Sequence, residues 1–200
     1  MEFIVKKGKA AEFATLALVV PHCEEDKKLS AGAQNLDKKM RGLLTEVIAA
    51  GDFEGKLNQI AVIYTQGAIP AQRLILTGMG KRTELDREKL RGAFAKAARE
   101  IRGLNVKSFA VAWDPGVSAL PAAEAIEAMV EGVYLGLYQF TPFKTLERDK
   151  IKEINEFTII EEKEDNLPAV KAAVKTAETI CRAVCFTRDL VSTPGNEMTP

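Results

Sequence analysis

Apolar residues recur along this chain at two spacings, and stretches of the two kinds alternate. Short apolar runs predict strands at Glu2–Lys6, Ala14–Val20, Asn58–Thr65, Arg73–Thr77, Lys107–Ala112 and Phe157–Glu161. Between them the apolar positions repeat at helical spacing. Leu36, Met40, Leu43, Leu44, Val47 and Ile48 make one stripe, which predicts a single helix over Ala33–Ala50. Leu90, Phe94, Ala97, Ala98 and Ile101 predict a second over about Leu85–Arg102. Ile126, Met129, Val130, Val133 and Leu137 predict a third over Ala122–Leu137. Val170, Ala173, Val174, Ala177, Ile180, Cys181 and Val184 predict a long last helix, opened by Pro168 and running to about Phe186.

Turn residues punctuate these elements. Gly8–Glu12 separates the first two strands, which are expected to form a hairpin or to lie side by side. Gly67 and Pro70 separate the next two, which predicts an antiparallel pair. Gly51 and Gly103 are natural helix stops. Thr83, with Asp86 three residues on, is a candidate cap for the second helix. Strands then alternate with helices, so the expected fold class is α/β: a mixed β-sheet flanked by helices on both faces.

Composition narrows the class. The chain has 200 residues, 46% of them hydrophobic, which suits a globular domain with a real core. No run of about 18 apolar residues is present, so no membrane partner is expected. MEFIVKKGKA has no apolar signal core, and a cytoplasmic location is expected. Lys and Arg total 28, as do Asp and Glu, so nothing draws nucleic acid broadly to the surface and none is expected as a partner. Cys23, Cys181 and Cys185 lack CxxC spacing and read as free thiols in a reducing compartment.

Candidate chemistry is sparse. His22 is the single histidine, and it reads as a strand-end residue without catalytic work. Ser118 lies in PGVSALP, which is no nucleophile elbow. Cys181 and Cys185 share a helix face without a second ligand pair, so they read as small core residues. Gly78, Gly80 and Lys81 follow a strand and precede a helix, which is the context of a phosphate loop. Ile75 stands where a P-loop needs glycine, and Thr83 where a dinucleotide fingerprint needs one, so this is a weak candidate. No residue is assigned a catalytic, metal-binding or cofactor-binding role.

The end of the chain reads TRDLVSTPGNEMTP. Arg188, Asp189, Leu190, Pro194, Asn196, Thr199 and Pro200 resemble the motif that leads from the amino-terminal into the catalytic domain of the leucine aminopeptidase (cytosol aminopeptidase) family. Ser192 departs from the family's usual Asn. The stretch EGVYLGLYQF from Glu131, followed by Phe143 and Lys144, resembles the family too, as does Gly-Met-Gly-Lys at 78–81. The resemblance implies a macro-domain-like amino-terminal domain over residues 1–165. It implies a long C-terminal connector helix and the start of a truncated catalytic domain over 166–200. For the full-length protein it implies an enzyme with two divalent metal ions (Zn or Mn), which removes amino-terminal residues from peptides and assembles as a homohexamer. The family's catalytic motifs, Asp-Ser-Gly-Gly and Asn-Thr-Asp-Ala-Glu-Gly-Arg, are absent from these residues. The chain is therefore expected to be a non-catalytic domain serving assembly or regulation, with its own catalytic domain and neighbouring subunits as partners. The alternative is a stand-alone macro-like binding module for a nucleotide, ADP-ribose or DNA.

Overall fold

The computed structural model describes residues 1–26 and 28–198. Its centre is a six-stranded sheet in the order β1-β6-β5-β2-β4-β3. The strands are β1 (Glu2–Lys7), β2 (Leu18–His22), β3 (Ile60–Tyr64), β4 (Arg73–Gly78), β5 (Ser108–Ala112) and β6 (Glu156–Glu161). All neighbours are parallel except β3 and β4, the antiparallel pair that the Gly67–Pro70 turn predicts.

β1 and β2 do not pair, which corrects the expected hairpin. β6 and β5 lie between them. Every residue of β2 is buried, and a strand apolar on both faces belongs in the middle of a parallel sheet. β1 carries Glu2, Lys6 and Lys7 exposed, which suits an edge.

Alternate residues of the strands feed two cores. Val19, Ile75, Val111 and Phe157 face α3 (Arg87–Gly103), α4 (Ala122–Leu137) and α5 (Leu167–Ser192). Leu18, Val20, Leu74, Leu76 and Ile160 face α1 (Ala31–Lys39) and α2 (Leu43–Ala49). The expected layers, helices on both faces of a mixed sheet, are present.

The single helix expected over Ala33–Ala50 is two. Arg41 and Gly42 both take positive φ, 59° and 88°, and break it. Asp37 explains why the break is stable. Its buried carboxylate accepts from the Leu44 amide at 2.8 Å and from the Thr45 hydroxyl at 2.5 Å, capping the start of α2. The cap of α3 is Asp86, whose side chain accepts from the Lys89 amide, and not Thr83, which sits in a short 3-10 turn.

α3 and α4 approach closely at Gly132 and Gly136. A Cβ on Gly132 would collide with the Arg91 carbonyl oxygen, and one on Gly136 would lie 2.8 Å from the Ala95 Cβ. Close packing by these two glycines is what their four-residue spacing suggests. Beside them Glu131, almost fully buried, accepts from Arg91 Nε at 2.9 Å and from Arg87 at 2.8 Å. α5 runs six residues beyond the expected Phe186, and Pro194 and Gly195 follow its end.

Candidate functional site

Four places carry the residues that chemistry would need. The first is a crevice of about 310 Å³ at the carboxyl ends of β2, β5 and β6. In parallel sheets this edge, where the strand order reverses direction, is where ligands sit. Val20, Ala112 and Ile160 supply apolar wall, and Trp113 an aromatic face. Ser30 caps α1, whose amino terminus opens on the crevice. Asp114, Glu161 and Glu162 line it against the one ammonium of Lys163. Two of these carboxylates are partly engaged. Asp114 accepts from the Gly116 amide, and Glu161 from the Lys163 amide, each at 2.8 Å. Sequence reading did not find this crevice, because its walls come from segments far apart in the chain.

The second is the loop of Gly78, Gly80 and Lys81. Three of its amides already have partners. Gly78 donates to the Gln59 carbonyl at 2.8 Å, Met79 to His22 at 2.9 Å and Gly80 to Gly55 at 2.9 Å. Those three N–H groups are not available to a phosphate. A side chain at Gly78 would fall onto the Lys56 carbonyl, so this glycine is explained by backbone packing. Lys81 is exposed and lies 3.6 Å from Glu84.

The third is the neighbourhood of His22 and Cys23. His22 ends β2, 4% exposed, and burial holds its pKa below the ordinary 6.5 against the opposing pull of Asp26. Burial also pushes the Cys23 thiol up to about 11. Arg82 grips both Asp26 oxygens at 2.8 Å, closing the loop after β2. These groups are locked in structure.

The fourth is the end of α5. Arg188, Asp189 and Leu190 lie in its last two turns. Asp189 accepts from the Tyr138 hydroxyl at 2.8 Å, and the Arg188 guanidinium sits 5.4 Å from the centre of the same ring. The pair holds the end of α5 to the residue that follows α4. The Thr193 amide and hydroxyl donate to the Asp189 carbonyl at 2.9 and 2.7 Å and finish the helix. Pro194 then accepts from the Glu197 amide in a turn that includes Asn196. Thr199 and Pro200 lie outside the described residues. Among the described residues no group of three or more His, Cys, Asp or Glu side chains is placed to hold a metal ion. The two metal ions that the resemblance implies therefore have no fitting ligand set among them.

Comparison with known proteins decides the family. The model of the cytosol aminopeptidase family, N-terminal domain, matches residues 16–147. The chain belongs to the cytosol aminopeptidase family. A probable cytosol aminopeptidase from Geobacter sp. (strain M21) is 35% identical over 200 residues, covering 100% of this chain and 40% of the relative. The chain thus spans about 40% of the length of these curated relatives. A tomato leucine aminopeptidase structure superposes over 100% of the chain and 40% of its own length, with a TM-score of 0.79 and 23% identity. A Trypanosoma brucei macrodomain in complex with ADP superposes over 86% of this chain and 68% of its own, with a TM-score of 0.64 and 12% identity. The macro-like fold expected for this cytosol aminopeptidase domain is therefore present.

Proposed function

We propose that this chain is the non-catalytic amino-terminal domain of a two-metal leucyl aminopeptidase, serving assembly or regulation of a hexamer. The full-length protein removes amino-terminal residues from peptides in the cytoplasm, with Zn or Mn ions held by its remaining part. Residues 1–165 form the body of the domain. Residues 166–200 form the link to the remainder, and the first half of that link lies against α4.

One observation carries this reading: α5 is docked by its first half and apolar but exposed along its second. Val170, Ala173, Val174, Ala177 and Cys181 are buried, whereas Phe186, Leu190 and Val191 are 63, 42 and 82% exposed. A helix that leaves its domain with large apolar side chains in water is suited to continue into, or be covered by, further protein. The test is removal of this domain from the full-length protein. The intact protein is expected to sediment as a hexamer and to release leucine from Leu-p-nitroanilide with Zn or Mn. The shortened protein is expected to lose the hexamer. A shortened protein that stays a fully active hexamer would refute the role.

The second reading is a binding module for a nucleotide, ADP-ribose or DNA. The crevice favours it, because a macrodomain of the same fold is known with ADP. Charge weighs against it. Three carboxylates face one ammonium, and a diphosphate meets repulsion that the amino terminus of α1 only partly offsets. Calorimetric titration with ADP-ribose is expected to give no heat; saturable heat, lost on Trp113→Ala, would move the assignment to this reading.

A further inference from the structure

The sheet has two edges, and they are built differently. β1 has the charges of Glu2, Lys6 and Lys7, the usual guard against strand pairing. β3 reads Ile60-Ala61-Val62-Ile63-Tyr64, with no charge, proline or glycine. Val62 is 36% exposed and Tyr64 57%.

The register shows which backbone groups of β3 are free. Gln59 and Thr65, flanking β3, each share one bond with the neighbouring strand or the residue before it: the Gly78 amide donates to the Gln59 carbonyl, and the Thr65 amide to the Gln72 carbonyl. Bonded positions alternate in an antiparallel ladder, so Ala61 and Ile63 also face β4. The N–H and C=O groups of Ile60, Val62 and Tyr64 therefore point away from the sheet. Among the described residues no strand lies beyond them.

We propose that the open edge of β3 pairs with β3 of a second copy of this chain, antiparallel about a two-fold axis through Val62. The edge is self-complementary in that register. Val62 faces its own copy, and Ile60 faces Tyr64 in both directions, so all three outward residues fall at bonded positions at once. Each bonded pair exchanges two N–H···O bonds. On one face, Val62 packs on Val62 and the Tyr64 ring on the Ile60 side chain, as an apolar cross-strand ladder. A one-residue slip would set outward-pointing groups against the wrong phase, and a two-residue slip would leave Ile60 or Tyr64 opposite a residue outside β3, so the register centred on Val62 makes the most bonds. Such a contact is isologous and closes on itself, which suits a second copy rather than an open fibre. The pairing stands on strand geometry and is independent of the catalytic reading.

Sedimentation of the chain from low concentration up to about 500 µM tests the pairing, since a contact this narrow is weak. The wild-type chain is expected to approach twice the monomer mass. Val62→Lys, which sets two ammonium groups on the axis, and Val62→Pro, which deletes an outward N–H and leaves the bonds to β4, are both expected to stay monomeric with an unchanged circular dichroism spectrum. A cysteine scan in a Cys185→Ser background fixes the register. Val62→Cys is expected to form an intermolecular disulfide on mild oxidation. Tyr64→Cys is not, because the two copies of that position lie about 13 Å apart, four residues out of step. A wild-type chain that remains monomeric throughout would overturn the proposal. So would a dimer that survives Val62→Lys, or equal cross-linking at the two positions.

Discussion

From Val170 to Cys181, α5 lays small and apolar side chains on its neighbours, and from Phe186 onward the same helix turns large apolar side chains to water. The first stretch packs on α4 and β1. The second is held by the Tyr138 clasp with Arg188 and Asp189. The difference separates a half of α5 that the described residues cover from a half that they leave exposed. A hydrophobic stripe at helical period says that a helix will be covered, and not by what. In α5 one stripe is covered by the domain itself. The other has Phe186, Leu190 and Val191 exposed, which the remainder of the protein is proposed to cover, and Ile180, placed in the covered stripe by its spacing, is 48% exposed as well.

The largest expected effect tests the packed side of the comparison. Gly132→Ala forces α4 away from the Arg91 carbonyl, and it should destabilise the chain by about 2–3 kcal/mol in urea unfolding. Next, Val174→Ala in the docked half of α5 should cost about 2 kcal/mol. Val191→Ala in the exposed half should change the isolated chain by less than about 0.5 kcal/mol. Equal losses at 174 and 191 would erase the distinction between the two halves. Thiol chemistry sharpens the boundary. Burial raises the Cys181 thiol to about 12, so at pH 8 only about one molecule in ten thousand carries the thiolate there. Cys185, one turn on and half-buried, is raised as well but remains within reach of reagent. With Ellman's reagent Cys185 should react first, and both rates should rise with pH because the raised pKa values lie above the assay range. The smallest effect is expected at the clasp. Tyr138→Phe removes the bond to Asp189 and should speed amide exchange across 186–192 by about threefold while leaving 170–181 unchanged.

Much of the fold was legible in the sequence. α4 spans Ala122–Leu137, as its apolar period predicts. β3 and β4 pair as their short connection implies. The break between α1 and α2 was hidden, because Leu36, Met40, Leu43, Leu44 and Val47 keep helical phase straight through it. Its local cause, a carboxylate at Asp37 reaching Leu44 and Thr45, is a bond across seven and eight residues that no period reports. The separation of β1 from β2 was hidden for a related reason. Adjacent strands in sequence suggest pairing, and only the burial of both faces of β2 demands other neighbours. The family motif was readable as a string of residue types. The roles of Arg188 and Asp189 around Tyr138 needed the contact across 51 residues. The crevice was invisible for the same reason: Val20, Trp113 and Glu161 meet only once the sheet is built.

The central claim is that this domain carries no catalysis of its own. Purified chain incubated with Leu-p-nitroanilide and either Zn or Mn measures it directly. The account predicts no release of p-nitroaniline above the metal-only blank, alongside turnover by the full-length protein under the same conditions. Metal-dependent release by the chain alone, abolished by chelator, would contradict it.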